Sequence, residues 1–587
     1  RGDVFREMLV VSSDGSSGNP IQFSTYGSGA KPIFSLPLIT TWTDLGSGVF
    51  RTSMSTSEFT GVWEDNIPVQ PKATSSALSN GSWFEDGSFL YYRPSSGNPS
   101  NHEIGAVRII SAYQSGIQVS DRRFISIRDL SFLGMPSGVF SLDVSGGAEG
   151  ITIKNCDFQY CHTGVFFLPN LNNNRSAIVD SNYFYRNHNA IRMYTASAIS
   201  GPTIKGENLN CEITHNEMAE IGTIDGSNPW DYGFSDYESI GLQNFSDGII
   251  SDNYIHNGFA LGIIFYNMSG KSSDDNRIMR NKFFDNLKIP FHITGDDAAG
   301  AASYSFSGNV ISHNVFADNM NSSQDPAIWI NQGSNSDRTN YFVNNVCVGQ
   351  YQQVQISRSD LPAYLTIQNN IFYGVDYNIW IYGNNVPTQL GLDHNIYYSN
   401  PQAWGWFVNN STRDLTYMQN MGYEINSQIG DPLFKDENLR DYRLQIGSPG
   451  IDQGVTTPGV FTDYEDVILD INPNCGILEN ETCTLNGSLP VEISISQMDY
   501  VHNDNGTPIN LADDSYDVTL NISDVNGNGN STYNLLLDGL VIGQLNSSMP
   551  CTINVPSHST HHYLSFMDIF TGSCLNINSL SFLLTPQ

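Results

Sequence analysis

The chain has 587 residues, and its 26 basic and 59 acidic side chains give a net charge of −33 and a pI near 4.4. This balance argues against nucleic acid and anionic membranes as partners, because both are bound through clusters of Lys and Arg. No stretch reaches the roughly 18 apolar residues of a transmembrane helix, so no membrane insertion is expected. The length exceeds that of one compact core and suits an elongated solenoid with an extra domain.

A short phrase recurs along the middle of the chain: alternating apolar residues, then Asn, any residue, and an apolar or aromatic residue. Recurrence every 25 to 37 residues is typical of stacked supersecondary units. The period-two alternation indicates strands. We therefore predict a right-handed parallel β-helix, with one coil per repeat and the asparagines stacked in a hydrogen-bonded ladder that serves the scaffold. The asparagines are Asn182, Asn216, Asn253, Asn281, Asn314, Asn345, Asn370 and Asn395.

The organisation along the chain follows from these repeats. Residues 1–107 are expected to form the opening coils with an inserted β-hairpin region, and residues 108–400 the coils proper. Residues 401–486 are interpreted as a linker and a C-terminal cap over the last coil, because a solenoid must cover its open edge. Residues 487–587 alternate at period two between turn signals, which predicts a β-sandwich.

Several phrases carry a family resemblance. Gly18-Asn-Pro-Ile, Tyr26-Gly-Ser-Gly, Asp431-Pro-Leu-Phe and Ser448-Pro-Gly-Ile-Asp-Gln-Gly, together with the Asn repeat, resemble secreted, pectate-lyase-like parallel β-helix proteins of Bacteroidota type. The resemblance covers roughly residues 1–480. Here the usual closing motif of the Asp-Ile-Gly-Ala-Glu type is replaced by a stretch from Asp470 that contains Cys475.

This resemblance implies a fold and a location more than an activity. Its superfamily includes polysaccharide lyases, glycoside hydrolases, epimerases and non-catalytic surface proteins. The C-terminal segment resembles the Ig-like modules of long bacterial surface proteins. An extracellular location, secreted or attached to the cell surface, is therefore expected, with further domains of a parent protein or a secretion or surface-anchoring apparatus as partners.

The eight cysteines include no C-x-x-C pair and no zinc-type spacing. Cys475 with Cys483, and Cys551 with Cys574, are predicted to form disulfides, which implies an oxidising compartment. Cys347 occupies an inward position of its repeat and is predicted to be a buried thiol.

The strand after each Asn predicts one continuous outward face. In these strands the second and fourth residues are apolar and are expected to point inward, so the third and fifth point outward. The third-position row is Phe166, Arg192, Gly241, Ile264, His292, Trp329, Gln355 and Trp380, and the fifth-position row is Leu168, Tyr194, Gln243, Tyr266, Thr294, Asn331, Ser357 and Tyr382.

Aromatic rings mixed with planar hydrogen-bonding groups favour a sugar-binding groove. The alternative is that inserted loops at 225–238 and 296–308 cover the face and make its rings mere packing. The residues predicted to contact a polysaccharide are Arg192, Tyr194, Gln243, Tyr266, Trp329, Asn331, Trp380 and Tyr382.

Catalysis at this face has two readings. A glycosidase needs two carboxyl groups about 5–9.5 Å apart, and Asp236, Glu238, Asp296 and Asp297 are the candidates. A lyase needs a base and a cation: His292 as base, Tyr266 as acid and Arg192 as neutraliser, with Ca²⁺ on Asp296 and Asp297.

The lyase reading has a geometric weakness. Arg192 and His292 are three coils apart in this alignment, or about 14 Å, too far to contact one sugar. The sequence therefore predicts an extracellular carbohydrate-active β-helix that binds and processes a polysaccharide as a lyase or glycoside hydrolase. A non-catalytic surface adhesin or stalk is the alternative.

Overall fold

The structure is a computed structural model. It describes residues 2–35, 38–53, 59–65, 67–108, 115–143, 147–169, 173–194, 206–222, 237–267, 272–295, 305–319, 326–330, 336–349, 352–356, 364–374, 377–381, 386–398, 404–408, 411–460, 462 and 473–476, and, as backbone strands alone, 492–503, 515–524, 532–537, 540–546, 550–556, 562–568, 576–577 and 580–582.

Three long sheets form the body of the molecule, and their strands pair in parallel from one coil to the next. This confirms the predicted parallel β-helix. Sheet A contains Val4–Phe5, Ile33–Ser35, Ser131–Leu133, Asp157–Gln159, Tyr183–Tyr185, Glu217–Ala219, Tyr254–His256, Lys282–Phe284, Val315–Ala317, Val346–Val348, Ile371–Tyr373, Ile396–Tyr398 and Gln428–Ile429.

Sheets B and C complete each coil. Sheet B contains Leu9–Val10, Ser115–Gln118, Ser137–Asp143, Thr163–Pro169, Asn189–Met193, Glu238–Leu242, Leu261–Asn267, Phe291–Gly295, Pro326–Ile330, Gln352–Ile356, Tyr377–Ile381, Trp404–Val408 and the antiparallel Ser411–Arg413. Sheet C contains Ile21–Phe23, Ile125–Arg128, Thr152–Lys154, Ile178–Asp180, Glu212–Thr214, Ile249–Ser251, Arg277–Met279, Val310–Ser312, Asn340–Val343, Leu365–Gln368 and Leu390–Asp393. A short three-stranded sheet lies beside them, made of Asn174–Arg175, Asn208–Leu209 and Phe245–Ser246.

The interior is filled by side chains stacked along the axis. Phe132, Phe158 and Phe184 lie in register on sheet A, with adjacent ring centroids 4.8 Å apart and nearly parallel planes. Cys347 takes the same inward position between two further aromatic residues. It is a buried free thiol, as predicted, and burial holds its pKa far above the ordinary value.

The Asn ladder is confirmed and occupies the same corner of the successive coils from Asn182 to Asn395. Asn281 is representative: its Oδ1 accepts from the backbone N–H of Asn253 at 3.1 Å and from Asn253 Nδ2 at 2.9 Å. Its Nδ2 donates to Ile250 O at 2.9 Å and to Asn314 Oδ1 at 3.0 Å. The preceding residue, Arg280, has a left-handed φ of 57°, which turns the chain into the corner. The amides thus satisfy backbone groups that the corner removes from the strand pairing.

Two further ladders, not predicted from the sequence, lie at the other corners. Asn276, Asn309 and Asn340 repeat the same bonding before sheet C. Asn286 and Asn319 repeat it after sheet A. The signal was present, because these asparagines stand five residues before or after the asparagines of the first ladder.

A seven-stranded sheet is inserted into the opening coil. Its strands, in spatial order, are Ile104–Arg108, Phe59–Glu64, Ile67–Pro71, Ser82–Glu85, Phe89–Arg93, Phe50–Ser53 and Thr43–Asp44, and the 3₁₀ turns Ser75–Ala77 and Pro99–Asn101 lie between strands. Its own core includes Trp83, Leu90 and Tyr92, all buried. The insertion is therefore a small packed unit.

The last coil is closed by a buried carboxylate. After the helix Leu415–Asn420, Glu424 is fully buried and accepts hydrogen bonds from Tyr397, Ser427 and Asn395, the last residue of the first ladder. Burial is the main cause that raises the pKa of this carboxyl group.

Only part of residues 401–486, the stretch interpreted as a linker and cap, lies on the last coil. The hairpin of Phe434–Asp436 and Asp441–Leu444 packs against the outer side of sheet A. Arg440 reaches back to Asp285 and Asp318 with contacts of 2.8 and 3.1 Å. The reason is that Phe434 and Tyr442 find an apolar outer surface there, formed by residues such as Val346 and Ile371.

The C-terminal strands form two four-stranded, mainly antiparallel sheets, in agreement with the expected all-β character of this region. The Ig-like assignment stays a prediction. Their orders are Pro550–Pro556, Ser515–Asp524, Glu492–Asn503 and Asn576–Ile577, and Leu540–Asn546, Thr532–Leu537, His562–Asp568 and Leu580–Phe582.

Neither predicted disulfide lies wholly within the described residues. Among the described residues no disulfide is formed; Cys475 is buried with its Sγ 3.2 Å from His394 O. Cys483 and Cys574 lie outside the described residues, and only the backbone of Cys551 is described. In the described part of the chain, no helix has both the length and the apolar character needed to cross a bilayer.

We predict that Asn281→Ala lowers the free energy of unfolding by about 2–4 kcal/mol, because it strands the buried N–H of Asn253 and the carbonyl of Ile250. Urea unfolding followed by circular dichroism measures the change. Asn420→Ala, at an exposed helix position, is the control and should cost less than about 0.5 kcal/mol. Equal losses in the two variants would contradict a stabilising ladder.

A second prediction concerns acid stability. His313 is buried beside Arg280, and burial, with a smaller contribution from that charge, lowers the pKa of His313 to about 3. The unfolded chain therefore binds more protons than the folded one as the pH falls below about 6.5. Protonation of His313 in the unfolded chain should therefore lower the free energy of unfolding by about 1.4 kcal/mol for each pH unit between pH 6.5 and 3.

The substitution His313→Asn should reduce the loss between pH 7 and 4.5, measured by urea unfolding, by about 2–3 kcal/mol. Asn also tolerates the left-handed φ of 56° at this position. His215→Asn is the matched control, since its side chain is 62% exposed at the equivalent corner. An unchanged pH dependence in His313→Asn would refute the buried neutral state.

Candidate functional site

The outward row of sheet B has the register that the sequence predicted. Each member of the third-position row pairs with the next member one coil further along, and the same pairing places Phe140 before Phe166 and Phe407 after Trp380. We call this set the outward row: Phe140, Phe166, Arg192, Gly241, Ile264, His292, Trp329, Gln355, Trp380 and Phe407. The inward-facing second and fourth residues, such as Ile328 and Ile330, are buried, as predicted.

The face is less exposed than the alternation alone indicated. Ile264 is 5% exposed, and Leu168 and Gln243 of the fifth-position row are each 7% exposed. Arg192, His292, Trp329 and Trp380 are half-buried. The surface available to a ligand is therefore a series of partly recessed rings.

One ion pair dominates the N-terminal half of this face. Arg192 Nε and a terminal guanidinium nitrogen both lie 2.7 Å from Glu238 Oε2. The Tyr194 hydroxyl donates to Glu238 Oε1 at 2.5 Å, and Asn189 Oδ1 accepts from the Glu238 backbone N–H at 3.0 Å. Both carboxylate oxygens of Glu238 are thus engaged, and its side chain is only 4% exposed.

Gly241 makes room for this arrangement. It lies in register with Arg192. A Cβ at Gly241 would stand 3.0 Å from Tyr194 Cε1 and 3.2 Å from Glu238 Oε2. The carboxylate, the phenol and the guanidinium therefore come together over a position that carries no side chain.

Beside the ion pair lie three packed rings that were not among the predicted site residues. His162 and His188 lie edge to face at 5.3 Å, and the ring of His188 lies 4.7 Å from that of Tyr237. Burial, followed by the charge of Arg192, lowers the pKa of His162 to about 3. The pKa of His188 is also held well below its usual value, chiefly by burial. Their place in the repeat could have revealed them from the sequence, because each directly precedes a sheet B strand.

The C-terminal half of the outward row carries two ring pairs. His292 stacks on Trp329 with centroids 4.7 Å apart and planes 14° apart. Trp380 stacks on Phe407 at 4.0 Å, with Tyr377 packed edge-on against both. Burial lowers the pKa of His292 to about 4, and its Nδ1 has no hydrogen-bond partner in the described part of the chain. His292 is therefore an uncharged imidazole at neutral pH.

The structure brings together some predicted site residues and separates others. Arg192, Tyr194 and Glu238 contact one another, while His292 is three coils from Arg192. Tyr266 pairs with Thr294 one coil along, and Gln243 is nearly buried. Asp236, Asp296, Asp297, Asn331, Ser357 and Tyr382 lie outside the described residues, and with them the proposed Ca²⁺ ligands and the second carboxylate.

The comparisons with known proteins show a fold. No protein-family model matches this chain, and no curated protein sequence matches it. A solved structure described as the complex of XylC with xylose aligns over 81% of this chain and 91% of that chain, with 13% identity and a TM-score of 0.52. At this identity the alignment supports the parallel β-helix alone.

Two further solved structures align less well. A GH136 lacto-N-biosidase from Eubacterium ramulus covers 73% of this chain and 60% of its own, at 11% identity and a TM-score of 0.30. PfbA, a surface adhesin of Streptococcus pneumoniae, covers 68% of this chain and 80% of its own, at 11% identity and a TM-score of 0.33. TM-scores this low carry no argument about function.

We predict that Glu238→Gln lowers the free energy of unfolding by about 2 kcal/mol, because it leaves Arg192 without its counter-charge. This is below the cost for a fully buried pair, since the Arg192 side chain is 19% exposed. The double variant Arg192→Gln with Glu238→Gln should lose less than the sum of the single variants, by at least about 1 kcal/mol. Urea unfolding of the four proteins measures this coupling, and strictly additive losses would contradict the pairing.

Proposed function

We propose that this protein binds a polysaccharide along the outward row of sheet B, with the glycan running parallel to the solenoid axis. The observation that carries the proposal is the unbroken register from Phe166 to Phe407, which places two stacked ring pairs on one face of neighbouring coils; Phe140, at the start of the row, is fully buried. Because the rings of each pair cover one another's faces, they present their edges to solvent at intervals set by the strand spacing of about 4.8 Å, and CH groups of successive sugars can pack against these apolar edges. Polar neighbours such as Gln355 and Thr294 can bond to hydroxyl groups.

The charge of the face favours a neutral glycan over a polyuronate. Arg192 is the cation of the outward row in the described chain, and Glu238 already neutralises it. His292 is uncharged at neutral pH. Since the whole chain carries a net charge of −33, a polyanionic chain would be repelled on approach.

Cleavage of the bound glycan is the second candidate, and Glu238 is the observation that favours it. It is a carboxylate on the ligand-facing side of sheet B, held in one orientation by Arg192 and Tyr194. Hydrolysis would need a second carboxyl group about 5–9.5 Å away, for which Asp296 and Asp297 stay the sequence-based candidates. β-Elimination is less favoured, because Arg192 is already paired and cannot neutralise a uronate.

Location belongs to the same proposal. The acidic composition and the resemblance of the chain ends to secreted β-helix proteins support an extracellular or surface-attached protein. A protein outside the cell would encounter polysaccharides in its surroundings. Binding without cleavage would make the protein an adhesin of that surface.

A glycan panel read for binding and for product release tests the proposal. Affinity electrophoresis against xylan, mannan, a soluble β-glucan, alginate and polygalacturonate should show retardation by a neutral member. Trp329→Ala should weaken that retardation about tenfold, the value for a loss of about 1.4 kcal/mol of contact energy. Reducing-end release that is lost in Glu238→Gln, checked to be folded at the assay temperature, would establish hydrolysis.

Tyr26→Ala is the matched control. This residue is 92% exposed and belongs to the opening coil, far in sequence from the ring pairs of the outward row. It should bind like the wild type. Equal affinity in Trp329→Ala and the wild type, or retardation by no polysaccharide, would refute the proposed groove.

A further inference from the structure

The inserted seven-stranded sheet contains a cluster of metal-ligating side chains that the outward row does not use. Glu64 ends one strand, Asp65 follows it in the turn, and His102 lies two residues before the paired strand Ile104–Arg108. One donor atom of each residue lies within 4.8 Å of the other two. His102 Nδ1 is 2.7 Å from Asp65 Oδ2 and 3.2 Å from Glu64 Oε1.

Each of the three side chains is oriented by an atom that does not face the cluster. Glu64 Oε2 accepts from the Tyr92 hydroxyl and from the Ser95 backbone N–H. Asp65 Oδ1 accepts from the Glu103 backbone N–H at 2.8 Å, and His102 Nε2 lies 2.8 Å from Ser96 O. The Ser95 hydroxyl also donates to Glu64 Oε1, which retains a second lone pair. Support of this kind, above all a histidine whose other nitrogen bonds to a carbonyl, is characteristic of metal ligands.

Burial and charge agree with a divalent cation. The Glu64 side chain is 5% exposed, His102 13% and Asp65 50%, so the cluster is enclosed on one side and open to solvent on the other. Metal binding would require the imidazole of His102 in its neutral form, and the two carboxylates would then give the cluster a charge of −2, which a divalent ion balances. An imidazole nitrogen beside carboxylate oxygens suits Zn²⁺ and disfavours Ca²⁺, which prefers oxygen ligands.

We propose that Glu64, Asp65 and His102 bind a divalent transition-metal ion of the Zn²⁺ class, with solvent completing the coordination. The ion would tie the turn at Asp65 to the loop that enters the strand Ile104–Arg108. Its role is to fix the inserted sheet, and it is independent of glycan binding at sheet B.

Isothermal titration of the chelator-treated, full-length protein with ZnCl₂ at pH 7.5 tests this site. One saturable site is expected, weakened at least about tenfold in His102→Gln and in Tyr92→Phe, which removes only the hydroxyl that orients Glu64. His256→Gln is the matched control, because His256 lies near a single carboxylate, that of Glu217 at 3.3 Å, and it should retain the site. CaCl₂ should not compete.

The alternative occupant is a proton on His102 Nδ1, which would make the cluster a simple ion pair. The proposal is overturned by the absence of saturable Zn²⁺ binding, or by equal affinity in the wild type, His102→Gln and Tyr92→Phe. Should His102→Gln fail to fold, the affinity of Tyr92→Phe for Zn²⁺ decides between the two occupants, because this variant keeps the aromatic ring in the core of the inserted sheet. Visible absorption of bound Co²⁺, present in the wild type and lost in Tyr92→Phe, gives an independent readout.

Discussion

The stacking of buried asparagine amides at the coil corners is the constraint on which the rest of this structure depends. A parallel β-helix turns sharply between sheets, and each turn leaves backbone N–H and C=O groups without strand partners inside the protein. Asn314 shows the solution: its amide oxygen accepts the N–H of the coil before, and its amide nitrogen donates to Ile278 O and to Asn345. Because an asparagine holds this corner in each coil from Asn182 to Asn395, these coils share one register.

That register determines what the surface can do. Since each corner begins at the same point, the outward positions of sheet B fall in line across coils whose sequences differ in length by up to twelve residues. Insertions are confined to the connections, and the ring pairs His292/Trp329 and Trp380/Phe407 stay in the same row. The ion pair of Arg192 and Glu238 is fixed by the same pairing, although 46 residues separate its partners.

The sequence was sufficient for the features that repeat. The first ladder, the inward core and the outward row all recur in each coil, so each copy supports the others. The ladders of Asn276 and Asn286 were equally predictable, because both stand five residues from Asn281. Their spacing within a coil was overlooked beside the longer spacing between coils.

Features that occur once were beyond sequence reasoning. The contact of Arg440 with Asp285 depends on where a single hairpin folds back along sheet A. The pairing of Arg192 with Glu238 depends on the length of the insertion between Asn216 and Glu238. The cluster at Glu64 depends on pairing across the inserted sheet, and its members have no repeat that could reveal them.

A polysaccharide on the outward row must shield the tryptophans there from oxidation by N-bromosuccinimide, and peptide mass spectrometry maps this oxidation residue by residue. The experiment compares the protein alone and with saturating xylan, mannan or β-glucan. The account predicts that the glycan slows oxidation of Trp329 and Trp380, while the half-buried Trp42 of the inserted region reacts at the same rate in both samples. Unchanged rates at Trp329 and Trp380 with every neutral glycan would contradict the account.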